Sequence, residues 1–93
     1  MDDPTRNFGT VQVLLDRLNN HRLPRLVRLK DKVDNGAPLD DYDLRFLKNV
    51  LDDAEEARAV MADHEDLQDL VTRLVDLYHQ VTAQALENEQ ATD

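Results

Sequence analysis

The chain has 93 residues with no Cys, no Trp, two Gly and three Pro, and its 20 acidic against 11 basic side chains give a net charge of −9. This composition excludes a disulfide framework, a Cys-ligated zinc site and a Cys-attached haem, and two glycines leave no material for a phosphate-cradling loop or a dinucleotide fingerprint. No apolar run approaches the roughly 18 residues that a membrane span needs, and the acidic excess argues against nucleic acid as the main ligand.

In chain order, residues 1–9 read as a disordered or extended polar tail. Met1-Asp2-Asp3-Pro4 lacks the basic-then-apolar pattern of a signal peptide, so a soluble cytoplasmic protein is the expectation. Thr10 is a plausible N-cap. Val11, Leu14, Leu15 and Leu18 then recur at helical spacing, and Leu23, Leu26, Leu29 and Val33 carry a second stripe rotated by roughly a quarter turn from the first. Pro24 stands between the stripes and removes a hydrogen bond. Residues 10–35 are therefore either one bent helix or two short helices meeting near Leu23-Pro24.

Asn35-Gly36 is a stop signal, followed by Pro38. Asp40 then serves as the N-cap of the next helix, with Asp43 completing a capping box in which Asp replaces Glu, and Leu39 and Leu44 at the spacing of a hydrophobic staple. This helix should run from about Asp41 to Ala62, with Leu44, Leu47, Val50, Leu51, Ala54, Ala57 and Met61 on its inner face. After a short turn in the polar break Asp63-His64-Glu65-Asp66, the last helix runs from about Glu65 to Glu89 on a stripe of Leu67, Leu70, Val71, Leu74, Leu77, Tyr78, Val81 and Ala85. Residues 90–93 should fray. Helices of about 33–39 Å with short connections favour antiparallel packing. The expected fold is one all-α domain over residues 10–89: an up-down-up three-helix bundle whose first helix is kinked or split near Pro24. A four-helix bundle is the alternative.

Chemistry-bearing constellations are sparse. His21, His64 and His79 stand apart in sequence, and Asp76 with His79 has the Asp-x-x-His spacing of carboxylate-bridged di-iron bundles but no second such motif. Threading residues 31–42 through an EF-hand loop puts Val33 at an oxygen-ligand position and Tyr42 where the bidentate Glu belongs. No metal, no cofactor and no catalytic residue is expected: the chain has neither Cys nor Ser, and the Asp52-Asp53 and Glu55-Glu56 neighbours point in different directions on a helix.

The strongest anomaly is charge segregation. Residues 17–32 carry a net charge of +5, while residues 33–93 carry −12. Arg17, His21, Arg25, Arg28 and Lys32 would span about 80° of one face of a straight helix. One reading is that this stripe pairs with the acidic flanks of the other helices. The other makes it a surface for an anion or a partner protein, since Arg suits bidentate carboxylate or phosphate contacts.

The run from Leu23-Pro24-Arg25 through Lys30-Asp31-Lys32-Val33-Asp34-Asn35-Gly36 to Asp40-Asp41-Tyr42-Asp43 resembles small bacterial all-α proteins of no assigned activity. A second resemblance, at the level of the fold, is to the all-α chorismate mutases. Lys32, Gly36-Ala37-Pro38, Tyr42-Asp43-Leu44-Arg45-Phe46 and Gln84 lie where that family has its basic first helix, its Gly-x-Pro connection, its Asp-x-x-Arg-Glu start and its late Gln. Tyr42 and Phe46 depart from the Asp and the Glu of that pattern. The resemblance implies Arg and Lys side chains that clamp a dicarboxylate and stabilise its rearrangement electrostatically.

Three functional readings follow. The leading one is a non-enzymatic helical protein acting through protein–protein contact, with an unknown partner or a second copy of itself, and with Tyr42, Phe46 and Tyr78 as candidate anchors. The second is a small metal-free enzyme of the chorismate mutase type, which needs Arg25, Arg28, Lys32 and Arg45 to converge on a pocket. The third, nucleic-acid association through the basic stripe, sits least well with the net charge.

Overall fold

The computed structural model of the chain describes residues 4–91. Helix α1 spans Pro4–Arg17, a π-helical segment Leu18–Arg22, α2 Leu23–Asp34, α3 Asp41–Arg58 and α4 Glu65–Ala91, with no strand among the described residues. The α1–π–α2 unit is one continuous, disturbed first helix, so the architecture is the up-down-up three-helix bundle. The molecule is long and narrow, 54 × 21 × 20 Å.

The disturbance at Pro24 takes a specific form. In an unbroken α-helix the ring of Pro24 would clash with the carbonyl of Asn20. Instead the preceding turn widens, and the Leu23 N–H reaches back five residues to the Leu18 carbonyl. Pro24 then sits in the first turn of α2, where a missing N–H does no harm. The wide turn holds one more residue than an α turn, which advances the phase of the helix. Val11, Leu14 and Leu18 are buried before it, and Leu26, Leu29 and Val33 after it. Both stripes therefore face one core despite their apparent rotation in sequence.

The α2 terminus is a Schellman cap. Gly36 has φ +88°, and the Gly36 and Ala37 N–H groups donate to the Val33 and Lys32 carbonyls at 3.0 and 3.2 Å. This is the pairing that a left-handed residue after the helix provides. The capping box of α3 is formed in both directions: Asp43 N–H donates to Asp40 Oδ1 at 2.8 Å, and Asp40 N–H donates to Asp43 Oδ2 at 3.1 Å.

Several boundaries differ from the sequence reading. Helix α1 begins at Pro4 and not at Thr10, so residues 4–9 are helical. Pro is well tolerated at a helix start, and one Gly inside a helix costs only about 1 kcal/mol relative to Ala. The rest of the expected tail, residues 1–3, lies outside the described residues. Helix α3 stops at Arg58, four residues before Ala62. Its stop carries no Gly signal: the last turn tightens, with the Ala59 and Val60 N–H groups donating to the Glu56 and Ala57 carbonyls at 3.3 and 3.1 Å, and Gln68 Nε2 holds the loop that follows through the Met61 and Ala62 carbonyls at 2.7 and 2.9 Å. At the other end α4 continues through Ala91, and the last two residues of the expected fray lie outside the described residues.

The core runs the length of the bundle. Leu14, Leu18, Leu26, Leu67, Leu74, Val33, Val50 and Val81 are its largest fully enclosed side chains. Helices α2 and α4 pack closest, while the α2 backbone stands off from α3. Leu44 and Leu51, expected on the inner face of α3, are instead exposed. Leu74→Ala removes a side chain with no exposed surface and should cost about 2–5 kcal/mol. Leu44→Ala, at 53% exposure, should stay within about 0.5 kcal/mol. Urea unfolding of both variants checks the contrast.

Candidate functional site

The space between the first helix and α3 is bridged by long side chains. Near the α2 terminus, Lys32 Nζ donates to Asp43 Oδ2 and lies 3.6 Å from Asp40 Oδ2. One step along, the Arg25 guanidinium covers the Phe46 ring at 4.5 Å, with Arg22 at 5.9 Å from the same centroid. Next, Arg22 Nε donates to Asp53 Oδ2 at 2.7 Å and Arg17 Nη1 to Asp53 Oδ1 at 3.3 Å. Arg17 also lies 3.5 Å from Glu56. The order runs antiparallel along the two helices, like rungs.

The π turn makes the Asp53 rung possible. In an α-helix, residues five apart point about 140° away from one another. Across a turn closed by an i→i+5 bond they return to nearly the same side. Arg17, just before the segment, and Arg22, its last residue, are related in this way and share the two oxygens of one carboxylate. Asp43 and Asp53 are the buried charged residues of the described chain, at 7% and 6% exposure, and each has its cation. No enclosed side-chain polar atom among the described residues lacks a hydrogen-bond partner.

The basic stripe of the sequence is thus spread over several tasks. Arg17 and Lys32 pair across the bundle, and Arg25 stacks on Phe46. His21 stays exposed, 4.0 Å from Asp16. Arg28 is exposed on α2 with no ion-pair partner among the described residues. Sequence reasoning missed Arg22 as a member of this set, because straight-helix geometry puts it on a different face from Arg17. The four cations of the enzyme reading separate as well. Arg25 is on Phe46, Lys32 is on Asp43, Arg45 lies 5.8 Å from the Tyr42 ring, and Arg28 faces solvent. None of them lines any of the four main concavities of the described residues.

The candidate anchors also separate. Phe46 is a core residue at 3% exposure, Tyr78 is half-buried against the core, and Tyr42 is 72% exposed. No group of three or more His, Cys, Asp or Glu able to hold a metal ion occurs among the described residues. No helix among them is long and apolar enough to cross a membrane.

A second feature lies at the end of the bundle where α2 stops, α3 starts and α4 finishes. Here the surface folds into a groove between the α2–α3 turn and the C-terminal part of α4. Pro38, Leu39, Leu44, Ala85 and Leu86 line it, with Gly36, Thr82, Asn88 and Glu89. Leu39 packs against the core, while Leu44 and Leu86 are 53% and 55% exposed. The walls are tied together: Asn88 Nδ2 donates to the Val33 carbonyl at 2.7 Å, and Gln84 Nε2 donates to Asn88 Oδ1 at 2.9 Å. The sequence signal for this groove was faint. Leu86 stands off the α4 stripe, and Leu44 was assigned to the core.

Two groups at the α2–α3 junction have shifted pKa values. The Asp43 hydrogen bond is the main cause that raises Lys32 above its usual 10.5. The Asp43 backbone N–H, donating to its carboxylate, is the main cause that lowers Asp40 below 3.8. A raised cation contributes stability that is fully present below its unfolded pKa and lost as pH rises through the folded value. A lowered carboxylate contributes stability that is present above its unfolded pKa and lost as pH falls through the folded value. The gap in urea midpoint between wild type and Lys32→Met should therefore hold steady up to pH 10.5 and close above it. Asp40→Asn keeps a capping side chain without its charge, so its gap from wild type should hold steady down to pH 3.8 and close below it.

The chain matches no protein-family model, no curated protein and no solved structure.

Proposed function

We propose that this protein is a non-enzymatic helical binding module that acts through protein–protein contact. The observation that carries this reading is the apolar groove, with Leu44 and Leu86 more than half exposed on its walls. Val13, Val27, Tyr42 and Leu51 are exposed elsewhere on the bundle, but only Leu44 and Leu86 of the exposed large apolar side chains lie together in this groove. A concave apolar surface with braced walls suits the burial of a partner's side chains, which is the main source of affinity at such sites.

The other readings draw less support. The cations that a dicarboxylate clamp would need are engaged with Asp43 and Phe46 or turned to solvent. The same engagements leave the stripe poorly suited to a phosphate backbone.

Tagged wild-type protein is incubated with native lysate beside the folded variant Leu44→Gln/Leu86→Gln and the stripe variant Arg25→Gln/Arg28→Gln. The expected result is a protein retained in comparable molar amount by wild type and the stripe variant and lost by the groove variant. Wild type that retains nothing, or a groove variant that retains the same protein, would remove the reading.

A further inference from the structure

We infer that the element docking in this groove is a basic amphipathic helix of a partner protein. This rests on the groove being the contact surface, and it names the chemistry that fits there. The apolar lining of Leu39, Leu44, Ala85 and Leu86 can receive one apolar helix face in the helix-in-groove manner. No strand is present among the described residues to offer an edge for an extended peptide.

The surroundings set the charge of the occupant. Asp40 and Asp41 are exposed on the α3 side, and Glu87 is exposed on the α4 side. Helix C-termini ordinarily carry basic residues to offset the negative end of the dipole. Here α4 has no basic residue in its last turn, and the chain has no Lys or Arg after Arg73. This stretch of α4 therefore brings no cation to offset the carboxylates already present. Lys32 offsets part of their charge through Asp40, whose side chain is still 58% exposed. Arg45, exposed directly after Leu44, and Lys48, one turn beyond it, bound the acidic zone on α3. A cationic helix face gains from this field, and an acidic one is repelled by it.

A second copy of this chain does not meet these requirements. Each copy carries −9, and the chain's one basic segment, residues 17–32, already buries its apolar face through Leu18, Leu26 and Leu29. The occupant is a different protein.

The test uses a fluorescein-labelled Leu/Lys model peptide of about 18 residues, long enough to form an amphipathic helix, and a companion with every Lys replaced by Glu. Each is titrated with the full chain and read by fluorescence anisotropy. The Leu/Lys peptide should bind, more weakly as salt rises, and the Leu/Glu peptide should not. Leu44→Gln/Leu86→Gln should weaken binding by about tenfold or more. Asp41→Asn/Glu87→Gln, which leaves the apolar lining intact, should weaken it and flatten the salt dependence. Val13→Gln/Val27→Gln, also at exposed apolar positions, should leave it unchanged. Absence of binding, equal binding of the Leu/Glu peptide, or equal binding by the Leu44/Leu86 variant would each overturn the inference. If the groove variant loses a lysate partner but the Leu/Lys peptide does not bind, only the basic helix is wrong. If the groove variant behaves as wild type in both experiments, the docking surface itself is wrong.

Discussion

The carboxylate of Asp53, held by Arg17 and Arg22 across a π turn, is the interaction on which the arrangement of this bundle depends. It fixes α3 against the first helix at the point beyond which the α2 backbone stands off from α3. An almost buried carboxylate without partners would cost several kcal/mol. With two guanidiniums on it, the same group specifies one register of α3 and disfavours its neighbours. Arg25 on Phe46 and Lys32 on Asp43 repeat that register farther along. The apolar face of α3 then meets the core through Leu47, Val50, Ala54 and Ala57.

This seam follows from a single proline. Pro24 forces the turn before it to widen, and the widened turn returns Arg22 to the side of Arg17 while bringing Leu26, Leu29 and Val33 into phase with Val11, Leu14 and Leu18. Local geometry thus serves the charge pairing and the apolar packing together. The consequence for function is a division of labour. The concentrated positive charge of residues 17–32 is largely spent inside the molecule, and the excess negative charge of residues 33–93 remains outside. The groove beside the α2–α3 turn lies in that acidic surface and keeps apolar side chains uncovered. A surface with both properties favours a partner that is both cationic and apolar.

Much of the fold was legible from residue order. The stop at Asn35-Gly36, the start at Asp40 with its Asp43 box, and the α4 stripe each use a local signal, and each forms as its chemistry requires. The α3 terminus was misjudged because the helix ends by tightening its own last turn, Ala59 and Val60 onto Glu56 and Ala57, with no Gly or Pro to mark the place. The candidate site was harder to read. The stripe was traced on a straight helix, where Arg22 falls on the wrong face and Arg28 on the right one. Spacing alone carries no record of a π turn, so the inserted residue could be suspected from the rotated apolar stripes but not placed. Leu44 fitted the helical period of a core residue. Only packing reveals that the core beneath it is already filled by Phe46 and Leu47.

That the cations on Asp53 hold α3 against the first helix is tested most directly by a double-mutant cycle on Arg22 and Asp53. Arg22→Gln, Asp53→Asn and the double variant are unfolded in urea beside wild type. A seam predicts a favourable coupling of at least about 1 kcal/mol, within the range measured for contacting groups. A coupling within about 0.3 kcal/mol of zero would mean that the two side chains do not hold α3 in place, and the basic stripe would again be free to act as a binding surface.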